Sequence, residues 1–131
     1  MAPDSLDPPA AGVVETIVRN ALNEDRAWDD ATTLATVDAA LMGTATFLAK
    51  QDGVASGFFI AAATFKQIDG RIQFEQVIAE GEPFRHGDVI ARLNGPARGL
   101  LQAERVALNF VQRLSASATL TRMFVDAVAG T

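Results

Sequence analysis

Apolar residues recur at three- and four-residue spacing from Gly12 onward, at Val13, Val14, Ile17, Val18, Ala21 and Leu22, which predicts a helix with one buried face ending near Glu24. The residues before it, 1–11, are rich in Pro, Ala and Asp, have no period, and read as a mobile arm. The stretch from Asp25 to Thr33 mixes charge with the single Trp28 and also has no usable period, so it reads as a loop. Thr and Phe alternate in part over residues 43–51, which run into Asp52-Gly53 and then Val54 to Gly57; this predicts two short strands joined by a hairpin turn. Phe58, Ile60 to Ala62, Phe65 and Ile68 fall on one side of a short helix that Asp69-Gly70 closes. Alternation returns over Ile72 to Gln76, and two turns, Glu80 to Pro83 and His86 to Asp88, bracket a connection into a strand over Val89 to Leu93.

Gly95-Pro96 ends that strand, and Pro96 suits the first turn of a helix, where its missing N–H has no partner to lose. A long helix over about 96–115 follows, with Leu100, Ala103, Ala107, Phe110 or Val111, and Leu114 as an apolar stripe. Arg98, Gln102, Arg105, Asn109 and Gln112 form a polar stripe at the same alternation of four and three. Ser115-Ala-Ser117 reads as a junction, after which Leu120, Phe124, Ala127 and Val128 predict a second helix over about 117–129 with Gly130 as its C′ residue. The fold class expected is therefore α+β, with one domain over 12–131.

At 131 residues and 49% hydrophobic content, the chain can bury one ordinary core. It has no run of eighteen apolar residues and no basic and apolar leader, so neither a membrane span nor an export signal is expected and a cytoplasmic location is. The absence of cysteine excludes disulfides and thiol chemistry. A net charge of −5 argues against general nucleic-acid binding, but its distribution is uneven. Residues 1–30 hold seven acids against Arg19 and Arg26, whereas residues 83–131 hold six arginines against Asp88, Glu104 and Asp126. Arginine clamps planar carboxylates and phosphates with two hydrogen bonds, so a small anionic ligand at the basic end and a solvated, ion-paired surface are both open readings.

The catalytic inventory is poor: one histidine, no Cys, no Tyr and no nucleophile, phosphate-loop or zinc motif. His86 lies in a Gly-flanked turn and reads as a surface residue rather than a general base. Asp25, Asp29 and Asp30 carry the oxygens a hard cation needs but lack the spacing of a calcium loop, so no metal site is expected of them. Arg105, mid-helix beside Glu104 and one turn before Asn109, is by itself a solvated helical arginine.

The segment from Leu93 to Ser115, with Ala118-Thr119 after it, resembles the long-helix signature of quinolinate phosphoribosyltransferases. Three stretches agree with that family in order and spacing: Ala21 to Asp25 with Asp30 and Thr32-Thr33; Asp52-Gly53-Val54 with Gly57; and Glu80-Gly81 with Gly87-Asp88. The resemblance covers essentially 12–131 and implies an amino-terminal α+β domain, an antiparallel sheet with packed helices, preceding an α/β barrel that this chain lacks. It implies an enzyme making nicotinate mononucleotide, CO2 and pyrophosphate from quinolinate and phosphoribosyl pyrophosphate with Mg2+, in NAD biosynthesis. In the family's homodimer the amino-terminal domain of one subunit covers the barrel mouth of the other, and the barrel carries most ligands and the catalytic groups. The arginine of the Ala-Glu-Arg motif, which reaches across to quinolinate, matches Arg105. The chain by itself is then expected to be inactive.

Ala27 and Asp29 stand where the family usually has glycines, as does Ala116, and lost glycines restrict a backbone that needs positive φ. Two further readings stand beside the main one. A molybdenum-transport-associated relative shares the sequence pattern. A biotinyl- or lipoyl-like module shares the hairpin rhythm of residues 80–90, but it needs a lysine at a hairpin tip, and neither Lys50 nor Lys66 has the flanking residues of such a site.

Overall fold

The computed structural model describes residues 10–129, so most of the expected arm, and Gly130, lie outside the described residues. Helix α1 (Ala11–Asp25) buries Val14, Val18 and Leu22, a narrower stripe than the pattern suggests, with Val13 and Ile17 left exposed. A 3-10 turn (Ala27–Asp29) and a short helix α2 (Ala31–Thr36) follow, the turn and the first half of α2 falling in the 25–33 segment expected to be a loop. The reason is a cap: Asp30 Oδ1 accepts from the Thr33 amide at 3.2 Å, which satisfies an N–H that the first helical turn leaves free.

Strand β1 (Met42–Leu48) does not pair with the segment after Asp52-Gly53, as a hairpin would require. It runs antiparallel to the late strand β5 (Val89–Pro96), in register from Met42 opposite Pro96 to Phe47 opposite Ala91. Strand β3 (Gln73–Gln76) flanks β5 on its other side, giving the order β1-β5-β3. The segment assigned to the second arm of the hairpin contributes only β2 (Gly53–Val54), which pairs with β4 (Pro83–Phe84). Apolar surface explains the choice. Ala45 and Phe47 in β1 face Leu93 and Ala91, which are fully or almost fully buried in the central strand, whereas Ala55 to Gly57 lead directly into a helix.

Helix α3 (Phe58–Ile68) has the bounds its pattern predicts, and with α4 (Ala97–Ala129) it forms the middle layer. One core lies between these helices and the sheet, around Phe47, Phe58, Phe65, Leu93, Leu100 and Ala107. A second lies between them and α1, around Val18, Leu22, Ile60 and Val106. The rings of Phe47, Phe65 and Phe74 meet with centroids 6.0–6.3 Å apart in tilted and edge-on geometries.

Helix α4 is one unbroken rod of 33 residues, not two helices joined near Ala116. Ser115-Ala-Ser117 contains neither Gly nor Pro, and the buried Ser115 hydroxyl is engaged by the segment before α3: it accepts from the Ser56 amide at 3.0 Å and donates to the Ser56 carbonyl at 3.1 Å. Thr119 Oγ1 accepts from the Val54 amide at 2.9 Å one turn later. What ends near residue 115 is the buried stripe, since Leu120, Met123, Phe124 and Val125 are all exposed. Helix α3 is finished in a similar way. Gly57 offers no side chain as a cap, and Glu80 Oε1 accepts from the Phe58 amide at 2.8 Å instead. Glu80→Ala should therefore lower stability by about 1 kcal/mol, the usual worth of a lost cap, whereas Glu82→Ala on the exposed side of the same turn should change it by less than about half of that. Urea unfolding with equal m-values checks this, and equal midpoints for the two variants would show that Glu80 does not cap α3.

Candidate functional site

An open groove of about 950 Å³ lies where the end of α1 and the start of α2 meet the middle of α4. Its wall on one side is Glu24, Asp25, Asp30 and Thr33; on the other it is Glu104, Arg105, Asn109 and Arg113. Arg105, Asn109 and Gln112 of the polar stripe of α4 face this groove because the opposite stripe, Ala103, Ala107 and Val111, is spent in the core against the sheet. Two arginines thus stand among four carboxylates, so the groove alone does not form an anion pocket.

Arg105 sits at the rim, its side chain 78% exposed. Its Nε donates to Asp25 Oδ1 at 2.8 Å, and its Nη2 donates to Asp25 Oδ2 at 3.4 Å. Asp30 is engaged locally: Thr33 Oγ1 donates to its Oδ2 at 2.7 Å. That hydroxyl, then the Thr33 amide, hold the Asp30 carboxyl below its usual range, against a smaller opposing effect of burial and with a further lowering from the Arg105 charge. The stability it contributes is present above the ordinary carboxylate range and is lost as pH falls through the lowered value.

Apart from Arg113 in the groove wall, Arg92, Arg98 and Arg122 of the basic end are not gathered here. Arg98 donates from Nε and Nη2 to the carbonyls of Val37 and Leu34, satisfying the end of α2. Arg122 Nη2 donates to the Gly81 carbonyl at 3.3 Å, and Arg92 is exposed on the sheet. His86 is exposed, its backbone amide donating to Asp52 Oδ1 at 2.9 Å. Among the described residues no group of three or more His, Asp or Glu side chains is arranged to hold a metal ion, and the three aspartates of the 25–30 segment do not converge on one. Lys66 lies on α3 and not at a hairpin tip. Of the family glycines replaced here, Ala27 and Asp29 take ordinary φ in the 3-10 turn and Ala116 is exposed within α4; the only positive φ at a non-glycine among the described residues is at Arg26.

Sequence reasoning alone does not reach the Asp25–Arg105 pair, whose members lie 80 residues apart. Asp30 is of a residue type favoured at the N-cap, and it does mark the start of α2.

The model of the quinolinate phosphoribosyl transferase N-terminal domain matches residues 30–115, well over half of the chain. The chloroplastic carboxylating nicotinate-nucleotide pyrophosphorylase of Oryza sativa subsp. japonica is 40% identical over 116 residues, which are 87% of this chain and 31% of that protein. Quinolinate phosphoribosyltransferase [decarboxylating] 1 of Nicotiana glauca is 37% identical over 112 residues, covering 85% of this chain and 32% of that one. NadC from Streptococcus pyogenes superposes with a TM-score of 0.89 at 30% identity, covering 94% of this chain and 44% of the solved one. The chain thus spans about a third of the length of the curated relatives it matches. By the family match, the relatives and the shared fold, the chain belongs to the quinolinate phosphoribosyltransferases, whose amino-terminal domain it represents.

Proposed function

We propose that this domain is the substrate-covering and dimer-forming part of an enzyme that makes nicotinate mononucleotide, CO2 and pyrophosphate from quinolinate and phosphoribosyl pyrophosphate. The observation that carries the reading is Arg105, a guanidinium presented at the mouth of the groove with part of its donor set unused. Its position on a rigid helix suits it to reach a planar dicarboxylate held by another surface, and the acidic groove around it explains why that surface has to come from elsewhere. Homodimerisation is supported by the apolar side chains left exposed, among them Val13, Ile17, Leu101, Leu120 and Phe124. The residues described here do not fit a Mg2+ site: Asp25 is taken up by Arg105 and Asp30 by Thr33. In this reading Mg2+ comes with phosphoribosyl pyrophosphate and is bound by the barrel.

The chain alone should then convert no quinolinate, and the chain completed by a barrel should. Nicotinate mononucleotide is measured from quinolinate, phosphoribosyl pyrophosphate and Mg2+ against a protein-free control. Product from the chain alone, or none from a folded, dimeric, completed enzyme, overturns the proposal.

A further inference from the structure

Asp25 occupies a place where helix physics disfavours it. It is the last residue of α1, beside Glu24, with no basic residue in that turn, and the carbonyl end of a helix repels negative charge. Its side chain is only 19% exposed, so it is held in the groove wall and not free to swing into water. The neighbouring cation is the C-cap Arg26, yet among the described residues the ion pair that Asp25 forms is with Arg105, 80 residues away, and a local rule broken in favour of a distant contact is a feature of functional sites.

What Asp25 does is visible in which edge of Arg105 it takes. A guanidinium has five N–H donors. Asp25 binds the inner edge, Nε and Nη2, and among the described residues no other hydrogen bond to the Arg105 guanidinium is recorded. The outer edge, Nη1 with the second hydrogen of Nη2, is left to a side chain that is 78% exposed, and it is the edge on which a second carboxylate can form two parallel bonds. An exposed arginine without such a partner samples many rotamers, each of which has to be given up on binding.

We propose that Asp25 is a positioning residue for substrate recognition: by occupying the inner edge of Arg105 it aims the outer edge at a carboxylate of the ligand. This rests on the assignment of Arg105 to the ligand in the proposed function. The pair is mostly solvent-exposed on the arginine side, so breaking it should change fold stability little.

The test uses the completed enzyme with Asp25→Asn, Asp25→Glu, Arg105→Ala and the Asp25→Asn/Arg105→Ala double variant. Asp25→Asn should raise KM for quinolinate about fivefold to tenfold, with kcat and KM for phosphoribosyl pyrophosphate within about twofold, because orientation of one carboxylate contact is all that is lost. Asp25→Glu, which keeps the charge on a longer stem, should fall between Asp25→Asn and the parent. The double variant should be no worse than Arg105→Ala, since Asp25 acts only through Arg105. KM does not depend on the fraction of enzyme that is folded, so partial unfolding does not blur the result. In the 131-residue chain itself, the Arg105 Nε–H resonance should exchange slowly with water and lose that protection in Asp25→Asn. An unchanged quinolinate KM in Asp25→Asn beside a large loss in Arg105→Ala overturns the positioning role and leaves the proposed function standing. No loss in Arg105→Ala overturns the assignment on which both depend.

Discussion

Arg105→Ala should lower kcat/KM for quinolinate in the completed enzyme by at least roughly thirtyfold, the lower end of what truncating one partner of a desolvated charge pair costs. The loss should not come from the fold. Arg105 is 78% exposed and buries nothing in either core, and alanine is the better helix former, so α4 should form as before. Arg105→Lys should recover only part of the activity, because an ammonium cannot offer the planar edge that Asp25 leaves free. Arg122→Ala, whose guanidinium serves the Gly81 carbonyl, should change the rate much less. The proposed trans arrangement has its own signature. In mixed dimers that carry Arg105→Ala on one subunit and an inactivated barrel on the other, one intact composite site should survive. Both lesions on the same subunit, paired with a parent subunit, should leave none. Full activity in Arg105→Ala homodimers would return this residue to an ordinary solvated arginine.

The parts of the fold that could be read along the chain are those decided within one element. The three- and four-residue spacing of Val14, Val18 and Leu22 marks α1, and that of Phe58, Ala61 and Phe65 marks α3, because each stripe repeats the period of the helix that buries it. Asp52-Gly53 misleads for the opposite reason. Its turn chemistry is local, whereas the partner of β1 is chosen by apolar surface on β5, more than forty residues away. The apparent junction at Ser115-Ala-Ser117 is a related case: periodicity records where a helix finds packing partners, and α4 simply outruns them. Arg105 has no local signal separating it from Arg98 or Arg113, and only the resemblance of the surrounding segment singles it out. Its contact with Asp25 depends on how α1 and α4 are set against each other, which no window of sequence contains.

Gly95→Ala should be the most destabilising single-methyl change in the sheet, costing on the order of 3 kcal/mol from backbone strain together with overpacking. Gly95 lies in β5 with φ +153°, just before Pro96, and an added Cβ would stand 2.8 Å from the Cα of Ile72 and 3.0 Å from its Cγ1. A clash with a flexible side-chain tip can be relieved by a rotamer change. A clash with a Cα cannot, and Ile72 is itself held in the core, only 8% exposed. Relief would have to come from moving the strand that carries Phe74 against Leu93, which opens the aromatic cluster. Gly87→Ala separates the two contributions. Gly87 also has positive φ, at +93°, but nothing stands within 4 Å of its added Cβ, so only the strain of about 1 kcal/mol should appear. Gly12→Ala, in α1 with open space around it, should instead stabilise by about 0.5–1 kcal/mol. The order expected in thermal unfolding is therefore Gly12→Ala above the parent, Gly87→Ala a few degrees below it, and Gly95→Ala lower by about 10 °C. If Gly95→Ala melts together with Gly87→Ala, the two strands do not approach as closely at Ile72 as described, and the packing of β3 on β5 has to be redrawn.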